Sequence, residues 1–163
     1  MSPASHAEGE SSVAYSTGSH AEGKSTSAGG HMVNNTLESG GSYAHSEGVD
    51  SVALGRGSHA EGESTLANNQ YSHAEGGGCQ AYGDYSHAEG CNSGNISTTT
   101  YSKAAHAEGI GTWARGEGSH TEGKDTLTNK NYAHAEGEGT VGGGVASHSE
   151  GKGTIATGDY QHA

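Results

Sequence analysis

Histidine and glutamate recur two residues apart along this chain. The pairs are His6 and Glu8, His20 and Glu22, His45 and Glu47, His59 and Glu61, His73 and Glu75, His87 and Glu89, His106 and Glu108, His120 and Glu122, His134 and Glu136, and His148 and Glu150. An imidazole beside a carboxylate invites three chemistries: acid–base catalysis, metal ligation and a pH-dependent hydrogen bond. A serine often precedes the histidine, as Ser58 precedes His59, which raises a nucleophilic triad. In an extended strand, however, adjacent side chains face opposite sides, so Ser58 and His59 cannot pair within one copy. His59 and Glu61 do share a face, but nothing distinguishes that copy from the other nine, and an active site is normally singular. The expectation is no enzyme and no catalytic residue.

Histidines brought together from neighbouring chains could hold zinc or nickel and leave a position open for water. A site repeated at every level reads more naturally as a hydrogen-bonded stack with room for scattered ions. No specific metal and no cofactor is therefore assigned. The residue between the pair changes to Ser46, Thr121 and Ser149, while the histidine and glutamate never change in ten copies. That uniformity points to a constrained environment, with the ladder facing neighbouring chains and histidine donating to glutamate across an interface. An exposed ladder kept uniform by recent duplication is the alternative. An interfacial ladder would weaken assembly below about pH 6, where histidine becomes charged.

The elements that must carry these pairs follow from their spacing. Eight of the ten intervals from His6 to His162 equal 14, and the other two, 25 and 19, are 14 plus an insertion. Each coil divides into two similar halves. One reads Ser58-His59-Ala60-Glu61-Gly62; the other reads Ser51-Val52-Ala53-Leu54-Gly55, or Thr154-Ile155-Ala156-Thr157-Gly158. Alternation with period two is the strand signature, and glycine permits tight corners. The predicted fold is all-β: a parallel solenoid of two short strands per coil, about ten to eleven coils, forming one domain over residues 1–163. At about 4.8 Å per coil, ten steps make a rod about 48 Å long. Ser, Ala and Gly share one face and must line the narrow interior, which leaves the large residues outside. Val13, Val52, Leu66, Trp113, Leu127, Val141 and Ile155 then form an apolar ladder down one side. Such a stripe in water is an aggregation hazard, so other copies of the chain are expected to cover it in a closed symmetric oligomer.

Composition agrees with a stacked repeat. There are 30 Gly, no Phe and one Trp, and 29% of residues are hydrophobic, too few for a thick oily core. The formal charge is -12 with 12 neutral histidines, and seven Lys and Arg form no basic patch. Nucleic acid is not an expected partner. No apolar run approaches the length of a membrane span or a signal-peptide core. Cys79 and Cys91 lack the spacing of a disulfide scaffold or a zinc ribbon. Ice binding would need an outward Thr-x-Thr pair, whereas Thr26, Thr65, Thr112, Thr126, Thr140 and Thr154 fall in the inward column.

The Ser51–Gly55 motif, the 14-residue period and the Ser-x-Ala-x-Gly half-coil resemble the head repeat of YadA-type trimeric autotransporter adhesins. That resemblance covers nearly the whole chain outside the insertions. It implies a left-handed parallel β-roll assembled as a homotrimer that binds matrix or other surfaces. The Ser-His-Ala-Glu-Gly variant is similar to repeats in tail or fibre proteins of phages and prophages of Gram-positive bacteria. In those, an intramolecular chaperone of the endosialidase type often follows, and Gly158-Asp159-Tyr160-Gln161-His162-Ala163 is similar to the junction before it. The function implied is a shaft or receptor-binding segment of a phage tail or fibre, on the virion, with itself and a host-cell surface glycan or protein as partners. The alternative is the head of a bacterial surface adhesin. The insertions, at about 30–41 and 91–101, are expected to emerge as loops at a corner, where a binding surface could sit.

Overall fold

The computed structural model describes residues 4–33, 36–39, 41–91, 94–95 and 102–163, so parts of both insertions (34–35, 40, 92–93 and 96–101) lie outside the described residues. Among the described residues there is no helix, and the chain is a parallel β-solenoid. One ten-stranded sheet carries the histidine–glutamate pairs, from His6–Glu10 to His148–Ser149. A second ten-stranded sheet carries the apolar positions, from Val13–Ala14 to Ile155–Ala156. Each step pairs equivalent positions of neighbouring coils: His59 sits beside His73, Ala60 beside Ala74 and Glu61 beside Glu75. Both insertions leave this register intact, since His20 pairs with His45 and His87 with His106. A bridge from His148 to His162 adds one more step.

The interior between the sheets is filled by small side chains. Ala21, Ala53, Ala60, Ala74, Ala107 and Ala135 are fully buried, as are Ser46, Ser51, Thr112, Thr126 and Thr140. Thr154, at the last coil, is half-buried. Several buried serine hydroxyls find backbone partners: Ser51 Oγ donates to the Gly62 carbonyl at 2.9 Å, and Ser46 Oγ donates to the Ser51 carbonyl at 2.8 Å, whereas the hydroxyls of Thr65, Thr126 and Thr128 make no hydrogen bond. Cohesion therefore comes from ladder hydrogen bonds and close packing of small groups, with few bulky hydrophobes.

The two halves of a coil are not equivalent, which corrects the expectation from the sequence. The histidine strand runs five residues, as in His59–Glu63, whereas the apolar strand runs two, as in Leu66–Ala67. Gly55 of the apolar half is buried as expected, but Gly62 of the histidine half is exposed. Its φ is +108°, and a Cβ there would collide with the carbonyl of Gly76 on the next coil. The glycine is needed for conformation and close approach, so the simple in-out alternation ends one residue early.

The first insertion is a β-hairpin, pairing Gly30–Val33 antiparallel with Thr36–Ser39. In the second, Cys91 ends a histidine strand and Gly94–Asn95 is a strand of the apolar sheet, so these residues belong to the coil. Both insertions follow the apolar strand and precede the next histidine strand, at the same corner of the coil.

Candidate functional site

Because His and Glu are two residues apart in a strand, both point outward, and the 14-residue register stacks them into two parallel columns. From His20 to His162, successive imidazole centroids lie 4.7–4.8 Å apart. Ring planes agree within 14° over that run, and only His6 meets its neighbour edge-on, at 67°. Within a rung, His6 Nε2 and Glu8 Oε2 are hydrogen-bonded at 3.1 Å. In the inner rungs the same atoms are farther apart: 3.5 Å at His45–Glu47, His59–Glu61 and His73–Glu75, and 3.9 Å at His120–Glu122.

The inner rungs are half-buried by their own neighbours. The side chain of His59 is 34% exposed, against 62% for His6 at the end of the stack. The Nε2 atoms of His45, His59, His73, His106, His120, His134 and His148 are shielded from solvent and have no hydrogen-bond partner within the chain. Burial lowers the pKa of His45, His59, His87, His120 and His134, and adjacent imidazoles lower it further. The glutamates pull the other way but more weakly. At neutral pH these rings are neutral, each a donor at one nitrogen and an acceptor at the other.

On the opposite sheet, Val52, Leu66, Leu127 and Val141 are half-buried, while Val13, Trp113 and Ile155 are exposed. Ser27, Gln80 and Gly94 interrupt the column. The Arg115 guanidinium lies 5.8 Å from the Trp113 ring centroid. Beyond the histidine strands, charged residues pair from coil to coil, Lys24 with Glu10 at 3.9 Å and Lys152 with Glu138 at 3.0 Å.

The serines turn away from the histidines. Ser58 Oγ donates to the Gly55 carbonyl at 2.7 Å, and Ser86 and Ser119 make the same bond to Gly83 and Gly116. They staple the corner. A metal shared by stacked histidines fails on distance: two nitrogens bound to one zinc cannot be more than about 4.2 Å apart, twice the metal–nitrogen bond. The rings repeat at 4.7–4.8 Å with nearly parallel planes, so their lone pairs do not converge.

Sequence reasoning missed one surface feature. Tyr43, Tyr71, Tyr85, Tyr132 and Tyr160 occupy the position two residues before a histidine, each with positive φ, and all are exposed. Tyr71 and Tyr85 stack at 5.3 Å. At the same position stand Gly18, Gly57 and Gly118, and a Cβ on any of them would press against the tyrosine ring of the next coil. The signal was present, since this position holds only Tyr, Gly or Ala before each complete copy, but tyrosine does not advertise a left-handed turn. The same corner carries both insertions and an open depression of about 470 Å³ lined by Arg56, Asn68, Asn69, Gln70 and Asp84 among others. Asp84 also has a structural task there, accepting the Gln70 backbone N–H at 3.2 Å.

No family model, no curated protein and no solved structure matches this chain.

Proposed function

We propose that the chain is a non-catalytic shaft or surface-binding segment of a phage tail or fibre, working as a homotrimer of left-handed β-rolls. The observation that carries this reading is the outward histidine ladder. Seven of its imidazole nitrogens are shielded yet make no hydrogen bond within their own chain, the carboxylate of a rung such as His59–Glu61 standing 3.5 Å away, on a rod whose interior is already filled. Buried polar groups in native proteins are nearly always paired, and a second chain can supply the missing partner. A closed ring of three needs two different patches on each chain, and the rod has two, the imidazole–carboxylate ladder and the apolar ladder. Ten equivalent rungs also fit repeated structural contacts better than one reaction centre.

The virion placement rests on the Ser-His-Ala-Glu-Gly variant of the repeat. The second reading, a bacterial adhesin head, shares the same coil and is favoured by the Ser51–Gly55 motif. Antibodies raised against the chain separate the two. Applied to particles and intact cells from a culture that makes the protein, they should label particle tails. Label on cell surfaces without particles would establish the adhesin reading instead, and label at neither would remove both.

A further inference from the structure

We propose that the inner rungs of the ladder form a linear array of transition-metal sites, each holding one ion of the zinc or nickel class between one imidazole and one carboxylate. The central rungs, His45 with Glu47, His59 with Glu61 and His73 with Glu75, present Nε2 and Oε2 at 3.5 Å. Two ligands bound at about 2.0–2.1 Å around a tetrahedral ion lie about 3.4 Å apart, so a small swing of the carboxylate completes the bite. The nitrogens lack a hydrogen bond within the chain, so ligation displaces none there. The carboxylates are 41–46% exposed and free to move aside for entry.

The donor set selects the ion. One imidazole nitrogen and one carboxylate oxygen suit zinc, nickel or cobalt, whereas calcium and magnesium require a shell of oxygens. The imidazole of the next rung is too far to share an ion, so each site uses one rung and leaves its other positions to water or a neighbouring chain. Ions on adjacent rungs would sit one coil apart, and their repulsion favours filling every second rung, about 9.6 Å apart and beyond a physiological Debye length. The array then holds no more than about five ions per chain. The proposal stands on the geometry of one chain, and at a filled rung the ion takes the place of the interchain partner proposed above for Nε2.

The test uses the untagged, metal-stripped chain at pH 8. Zinc binding is followed by titration calorimetry, and cobalt binding by its visible absorption. The expected result is saturable uptake of several ions per chain, none for calcium, and intense cobalt bands of low coordination number. A variant with Glu47→Gln, Glu61→Gln and Glu75→Gln keeps the shape and every imidazole, and should take up fewer ions at least tenfold more weakly at the altered rungs. The same titration in urea controls for histidine content alone. No uptake by the folded chain, equal uptake by folded and unfolded chains, or a folded triple variant that binds like the parent would each overturn the proposal.

Discussion

Gly62 shows how much of this fold is decided by single atoms. Its φ of +108° and the carbonyl of Gly76 leave no place for a Cβ. Gly62→Ala should therefore cost about 3 kcal/mol or more, from backbone strain plus a clash that backbone cannot relieve. Gly77, one position further along the strand of the next coil, has no positive φ, and a methyl added there would meet nothing within 4 Å, so Gly77→Ala should be neutral within about 0.5 kcal/mol. Urea melts of the two variants measure the contrast, and equal costs would contradict it. A second pair tests packing inside the roll. A methyl on Gly142 would lie 3.1 Å from the His134 carbonyl oxygen and 3.3 Å from the Thr128 Cγ2 of the previous coil, so part of the crowding comes from a side chain that can be shortened. Gly142→Ala should cost about 1–2 kcal/mol, and adding Thr128→Ala should recover part of that loss, a coupling of at least about 0.5 kcal/mol in a double-mutant cycle. Strict additivity would show that the two sites do not share space.

At the scale of the strand and corner, the ladder predicts a loss of stability in acid. The pKa of His45, His59, His87, His120 and His134 is lowered in the folded chain, first by burial and then by stacked neighbours. A lowered histidine pKa means that the unfolded chain takes up protons first. The corresponding stability is fully present above pH about 6.5 and is lost as the pH falls from there through the folded-state values. The melting temperature of the metal-free protein should therefore fall between pH 8 and pH 5, and a flat profile would contradict it. Much of this scale was legible in the sequence. The period of 14, the two strands per coil and the stacking of His59 on His73 follow from alternation and repetition alone. The unequal halves were not legible, because hydrophobic period says nothing about φ, and Gly55 and Gly62 look alike until their corners are seen. The tyrosine corner stayed hidden for the same reason: Tyr71 and Gly57 share a left-handed backbone position that pattern reading treats as unlike residues.

The whole molecule is a rod with small residues inside and its large residues on two outer faces. Nine steps of about 4.8 Å make the stack about 43 Å long, before the bridge to His162. An ordinary monomer buries its large apolar side chains, whereas here Trp113, Ile155 and Val13 are exposed and Leu66 is half-buried. Leu66→Asp places a charge on the apolar ladder without touching the interior. If that face lies between chains, the variant should keep the β-sheet circular dichroism of the parent and lose its oligomer. An unchanged oligomer would place the apolar ladder away from the interfaces. The proposed trimer requires the outward ladders to meet other copies of the chain, and the solution mass reads that requirement without any mutation. Light scattering coupled to gel filtration should give one species at three times the 16.3 kDa chain mass. A stable monomer would contradict the trimer and leave both ladders as solvent-facing surface.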